Sequence, residues 1–164
     1  MPQQIDEHLN KDLYDYEICI SEYAGHSKVL VQEAIDGGFD IVAVAGGDGS
    51  INEVGTKLIG TDIALAIIPC GSGNDYIKTF GKQEDFLDLS ALIEGEAMAV
   101  DGILCNGELS LNICSLGVDA DVCAYMGDFK RLPLVSGSMA YDLGVVKMLC
   151  KPAGNNLQIK ITTE

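Results

Sequence analysis

Positive charge is scarce in this chain of 164 residues: ten Lys and Arg stand against 25 Asp and Glu, for a formal net charge of -15. That balance excludes a general affinity for nucleic acid or for anionic membrane surfaces, which need clustered Lys and Arg. Any contact with a membrane is expected to be local. The two histidines, His8 and His26, lie far apart along the chain, which disfavours a zinc site. No CxxC pair occurs among Cys19, Cys70, Cys105, Cys114, Cys123 and Cys150, and most of them sit inside apolar runs. They read as reduced core residues of a cytosolic protein. The longest uncharged apolar stretch, Ile63 to Cys70, falls far short of the roughly 20 residues that cross a bilayer, so no transmembrane segment is expected. A secretory signal would need a basic start and an apolar block, whereas the chain opens with Asp6, Glu7, Asp12 and Asp15. The expected location is the cytoplasm.

With 48% hydrophobic and 21% charged residues, a buried core is attainable and intrinsic disorder is not expected. The length suits one domain, or one domain and part of a second. Residues 5–13 suit a short helix, and Tyr16 to Ile20 has the β-branched and aromatic content of a strand. Ser27 is placed to cap a helix that buries Val29, Leu30, Ala34 and Ile35 and stops at Gly37-Gly38. Ile41 to Ala45 is a continuous apolar run, as expected of a parallel strand buried on both faces. A helix from Ser50 to about Ile59 and a second such strand, Ile63 to Ile68, complete a βαβ unit, and a helix from Asp75 to Phe80 follows. Further on, Ala97 to Cys105 and Leu109 to Ser115 read as neighbouring strands turned at Asn106-Gly107. Residues 119–130 and 138–150 read as helices, and Leu157 to Thr162 alternates like a strand. The expected fold is α/β: a parallel-sheet nucleotide-binding domain over residues 1–96, then the start of a β-rich second domain over 97–164.

Each buried strand runs into a glycine-rich loop, Gly46-Gly47-Asp48-Gly49 and Gly71-Ser72-Gly73-Asn74-Asp75. Ligands of doubly wound sheets bind beyond the carboxyl ends of the strands, so the two loops are expected to converge there. Glycine lets backbone N–H groups approach phosphate oxygens, and the following helix start adds partial positive charge. Neither loop has the Gly-Lys-Ser/Thr of a Walker motif, and the first is not GxGxxG. An acidic residue in such a loop would repel a nucleotide unless a cation lay between them. Asp48 and Asp75 therefore point to Mg²⁺ or to ribose hydroxyls, although tight turns and helix starts also favour Asp. Ser50 and Glu53 have the spacing of a capping box, expected to be the main role of Glu53. Asn52 is open to a ligand or to solvent. Cys70 lacks a His partner for nucleophilic chemistry and reads as a small apolar residue.

The run from Val44 to Val54, with Gly46-Gly47-Asp48-Gly49-Ser50-Ile51-Asn52-Glu53 at its centre, resembles the GGDGT-x-NEV signature of the diacylglycerol kinase catalytic domain family. Ile67-Ile68-Pro69-Cys70-Gly71-Ser72-Gly73-Asn74-Asp75-Tyr76 resembles its second signature, I-I-P-x-G-T-G-N-D-F. Ser50 and Ser72 replace the usual Thr and keep the hydroxyl. GGDG alone also occurs in NAD kinases and phosphofructokinase-like proteins, but both signatures together favour the lipid kinase branch. The likeness continues through Asp101-Gly102 and Leu111 to Ala120.

The resemblance implies a two-domain enzyme with ATP and Mg²⁺ in a cleft and a lipid hydroxyl attacking the γ-phosphate. It implies nucleotide contacts from Gly46, Gly47, Asp48, Gly49, Ser50 and Glu53, and from Gly71, Ser72, Gly73 and Asn74. Asp48 and Asp75 would be the metal-holding and catalytic residues. The partners implied are ATP and a membrane lipid met transiently at the surface. Family members usually begin with a strand ending in an N-P-x-S-G-like loop, and nothing before Tyr16 resembles it. Nor does a segment with the family's catalytic acidic residue and D-G motif occur before Glu164. A chain lacking both ends of the family pattern is therefore expected, with an open sheet edge through which two copies would form a homodimer. Other readings are an NAD-kinase-like or sugar-kinase-like enzyme with a soluble substrate, and a non-catalytic nucleotide-binding module.

Overall fold

Two apolar runs that each end in glycine-rich loops build the centre of the fold. The computed structural model describes Leu9 and residues 12–129, 135–150 and 158–161. These fall into two compact units, Met1–Ile113 and Cys114–Glu164. The first unit contains helix α1 (His26–Gly37), strand β1 (Ile41–Gly46), helix α2 (Asp48–Leu58) and strand β2 (Ala64–Pro69). Two short 3₁₀ turns (Tyr76–Thr79 and Gln83–Phe86), helix α3 (Leu89–Glu94) and strands β3 (Ile103–Cys105) and β4 (Glu108–Ser110) follow. β1 and β2 pair in parallel in unbroken register from Ile41↔Ala64 to Gly46↔Pro69, so α2 is the crossover of a βαβ unit, as expected.

α2 explains why that unit is stable. Ile51, Val54, Gly55 and Leu58 recur at helical spacing and are all buried. They join Val31 of α1, Val44, Ile67, Tyr76 and Ile77 in one core. Gly55 allows close packing, because a Cβ there would collide with the Leu111 side chain and lie 3.0 Å from Leu65 Cδ2. The amide of Asn52 adds a polar tie: its Oδ1 accepts the Leu111 backbone N–H at 2.9 Å, fastening α2 to the segment after β4. Asn52 thus has a structural partner rather than a solvent-facing amide.

Several local expectations change. α1 starts at His26 behind Gly25, whose φ of 86° suits glycine. Ser27 lies inside the helix and does not cap it. Val31, 3% exposed, enters the core, whereas Val29 is 46% exposed. The helix ends at Gly38 in the left-handed conformation, as predicted. α2 likewise starts early, with extended Gly47 as its N-cap and Ile51 N–H bonded to Gly47 O at 3.0 Å. Ser50 is therefore within the first turn, and the capping box with Glu53 does not form. β2 is covered on both faces, but Ala43 and Ala45 of β1 are exposed, so β1 is covered on one face only. Residues 14–22 have no regular secondary structure, and Ile20 is 69% exposed. The strand composition of Tyr16 to Ile20 does not by itself fix a strand, because such preferences depend on the packing around the segment. Residues 76–79 form a 3₁₀ turn where an α-helix was expected. The expected helix over 5–13 falls largely outside the described residues.

β3 and β4 are an antiparallel pair joined by Asn106 (φ 51°) and Gly107 (φ 86°), the positive-φ dipeptide of a tight hairpin. In the second unit, α4 (Val118–Phe129) packs against α5 (Gly137–Leu149). A Cβ at Gly144 would lie 2.9 Å from Val122 O, so glycine brings these helices close. Lys147 Nζ lies 4.3 Å from the Tyr125 ring centre and 3.5 Å from Asp128 Oδ2, bridging the pair. The described residues 158–161 are not in a strand. Cys19, Cys70, Cys114, Cys123 and Cys150 are exposed and Cys105 is half-buried, so the thiols are not core residues. Short or one-sided packing around their apolar runs leaves them at the surface. No helix among the described residues is long and apolar enough to cross a membrane.

Candidate functional site

The parallel register carries Gly46 and Pro69 to the same end of the sheet, and the two glycine loops leave from there. Cys70 N–H continues the ladder to Gly46 O at 2.9 Å. The loops then touch. A Cβ at Gly71 would lie 2.5 Å from Gly47 Cα and 2.7 Å from Asn74 Oδ1, so a side chain has no room at this crossing. At Gly46 a Cβ would meet Ser50, whose Oγ would be 2.7 Å away. Ser50 thus folds back over the end of β1.

Asn74 shapes the second loop. It is 3% exposed with φ 49°, a left-handed conformation that Asn tolerates better than most residues. Its Oδ1 accepts Gly71 N–H and its Nδ2 donates to Gly71 O, both at 2.9 Å. These bonds close the loop on itself.

Asp48, at the start of α2, uses Oδ1 to accept the backbone N–H of Tyr76 at 2.9 Å. Asp75, at the start of the 3₁₀ turn, uses Oδ1 for an ion pair with Lys78, exposed on both sides and therefore weak. The two remaining oxygens turn to one place: Asp48 Oδ2 and Asp75 Oδ2 would lie 3.2 and 3.4 Å from a Cβ at Gly73. Glycine at 73 keeps that space open. Tyr76 is buried beneath, and its burial raises the phenol pKa above the ordinary 10.0.

Gly46, Gly47, Asp48, Gly49, Ser50, Gly71, Ser72, Gly73, Asn74 and Asp75 therefore occupy one region at the strand ends. Ser72 and Gly49 are exposed there. Glu53 is set apart, lining a groove with Lys28, Asn52, Thr56 and Lys57. Among the described residues, no group of three or more His, Cys, Asp or Glu side chains is arranged to hold a metal ion. The candidate donors here are the two carboxylates. One oxygen from each aspartate suits Mg²⁺, which usually takes one or two carboxylates and completes its shell with water and phosphate. The residues present fit that ion. Sequence reasoning singled out both aspartates but missed the bond from Asp48 to Tyr76 and the two roles of the Asn74 amide. The N-D order after the glycines was the one signal available for the latter.

The model of the diacylglycerol kinase catalytic domain matches residues 1–105. A diacylglycerol kinase of Bacillus subtilis is 33% identical over 140 residues, 83% of this chain and 46% of that protein. A probable lipid kinase YegS-like of Alcanivorax borkumensis is 28% identical over 133 residues, 79% of this chain and 44% of that protein. Another, from Pseudomonas aeruginosa, is 33% identical over 122 residues, 73% of this chain and 39% of that protein. The chain spans less than half the length of these curated relatives. With both glycine loops brought together at the strand ends and a family model covering most of its length, the chain belongs to the diacylglycerol kinase catalytic domain family.

Proposed function

We propose that this chain is the nucleotide-binding part of an ATP-dependent lipid kinase, with the ATP phosphates and Mg²⁺ held where the two glycine loops meet. The observation that carries this reading is the pair of carboxylate oxygens, from Asp48 and Asp75, facing the open space at Gly73. The start of α2 adds backbone N–H groups and partial positive charge suited to phosphate. In the reaction, the acceptor hydroxyl oxygen attacks the γ-phosphorus, the bond to the ADP oxygen breaks, and the hydroxyl proton passes to a base. Mg²⁺, when bound, neutralises charge on the phosphoryl oxygens. Asp48 and Asp75 would hold that ion, while Gly46, Gly47, Gly49, Ser50, Gly71, Ser72, Gly73 and Asn74 would line the phosphates. Glu53, one helical turn from Ser50, would reach the nucleotide away from the phosphates. The nucleotide domain is proposed to end near residue 96, with residues 97–164 beginning a second domain, and the acceptor to be met at a membrane surface. Homodimer formation through an open edge of the sheet belongs to the same proposal.

Calorimetric titration of Mg-ATP into the chain and into Asp48→Ala tests the site, and phosphate transfer to lipid in mixed micelles, with NAD as the competing acceptor, tests the reaction class. Saturable Mg-ATP binding that is lost in Asp48→Ala is expected. Equal binding by both proteins would remove Asp48 from the site, and transfer to NAD alone would replace the lipid reading by an NAD-kinase-like one.

A further inference from the structure

The first compact unit is poor in cations. No arginine occurs in the sequence before Arg131, and neither glycine loop carries a lysine. Lys28 and Lys57 line the groove beside Glu53, away from the loops. Lys78 differs, because its Nζ lies 2.5 Å from Asp75 Oδ1, while Asp75 Oδ2 turns to the space at Gly73 that Asp48 Oδ2 also faces. The 3₁₀ turn sets this contact: Asp75 is its N-cap and Lys78 lies three positions on, where 3₁₀ geometry brings side chains into line. Both side chains stay well exposed, so solvent screens their attraction and the lysine can exchange partners.

We propose that Lys78 is a phosphate-binding residue, whose ammonium leaves Asp75 Oδ1 for oxygens of the terminal phosphates when Mg-ATP binds. The inference rests on the nucleotide-binding part of the proposed function and deepens it. Two aspartates and a triphosphate together carry more negative charge than one Mg²⁺ offsets, in a chain whose net charge is already -15. Positive charge at the transferred oxygens favours phosphoryl transfer, and lysine supplies it as a compact charge on a flexible four-carbon stem. An ion held by Asp75 Oδ2 would bring phosphate to the same carboxylate that Lys78 already touches. The ammonium and the phosphates then share one neighbour.

The test uses the full chain with its lysines dimethylated by a ¹³C reagent, a change that keeps their charge, and the Lys78 signal is the one missing from Lys78→Gln. Mg-ATP is expected to shift that signal, and adenosine to leave it in place. In calorimetry on unmethylated protein, Lys78→Gln is expected to bind Mg-ATP at least about tenfold more weakly than the parent. Lys78→Arg should keep most of the affinity. Lys82→Gln, which removes the next lysine along the chain, should stay within about threefold of the parent, as expected of a screened surface charge. The assignment would be overturned by a Lys78 signal that bound Mg-ATP does not move, by adenosine moving it equally, or by Lys78→Gln losing no more affinity than Lys82→Gln. Those results with Mg-ATP still bound by the parent would spare the nucleotide site, whereas a parent that binds no Mg-ATP would overturn both.

Discussion

Asp48 Oδ1 and the backbone N–H of Tyr76 lie 2.9 Å apart, although 28 positions separate the two residues. The bond ties the start of α2 to the turn that follows the second glycine loop. Asp48→Ala is expected to lose about 1–3 kcal/mol in urea unfolding, because a donor is left without its partner. Asp48→Asn keeps an acceptor oxygen and is expected to lose under about 1 kcal/mol. Both should lose Mg-dependent ATP binding in calorimetry, so Asp48→Asn separates the structural bond from the charge. An Asp48→Asn protein with unchanged Mg-ATP affinity would show that the carboxylate charge is not used.

Gly71 and Gly49 are both loop glycines, yet they should respond in opposite ways. A methyl at Gly71 meets Gly47 backbone at 2.5 Å, whereas one at Gly49 meets nothing within 4 Å. Gly71→Ala is expected to destabilise by about 1–3 kcal/mol, as overpacking does. Gly49→Ala lies in the first turn of α2 and is expected to raise stability by up to about 1 kcal/mol. Thermal melts of the two variants side by side check the pair, and a Gly71→Ala protein as stable as the parent would contradict the crossing of the loops.

Asn52 gives a prediction at the base of α2. Its Oδ1 accepts Leu111 N–H across 59 positions of sequence. Asn52→Ala should lower stability by about 1–3 kcal/mol, and Asn52→Asp, which keeps the acceptor, should recover most of it. Hydrogen exchange at the Leu111 amide reads the bond directly, with faster exchange expected in Asn52→Ala alone.

Tyr76 supplies a dependence on pH. Burial raises its pKa above 10.0, so the folded state holds the phenol proton more tightly than the unfolded state does. Its stabilising contribution is complete below pH 10 and is lost as pH rises through the folded value. In Tyr76→Phe the fall in stability above pH 10 should therefore be shallower than in the parent. Denaturant midpoints measured from pH 8 to 11 test this, and parallel curves would show that the phenol does not titrate with unfolding.

Much of this architecture could be read from residue order. The apolar runs beginning at Ile41 and Ile63 announced the parallel pair, and Asn106-Gly107 announced the hairpin. Glycine hid the helix starts: Gly25 and Gly47 cap with backbone alone, so Ser27 and Ser50 drew attention to places two and three residues too late. One-sided cover of β1 was equally illegible, since Ala43 and Ala45 look the same in an exposed strand as in a buried one. At the candidate site the residue types were legible, but their pairing was not. Which atom of Asp48 was already engaged, and that Asn74 bonds to Gly71, depend on contacts that no local pattern reports.

The amide of Asn74 returns both backbone bonds of Gly71 within the loop, and this changes when the loop's ordering is accounted for. A loop shaped by its ligand would lose entropy at each encounter, and affinity would fall accordingly. Here the shape belongs to folding, so a ligand arriving at Gly71 to Gly73 meets a surface already set. Damage to Asn74 should accordingly appear first as a lower melting temperature and then as weaker binding, with the same loop governing both.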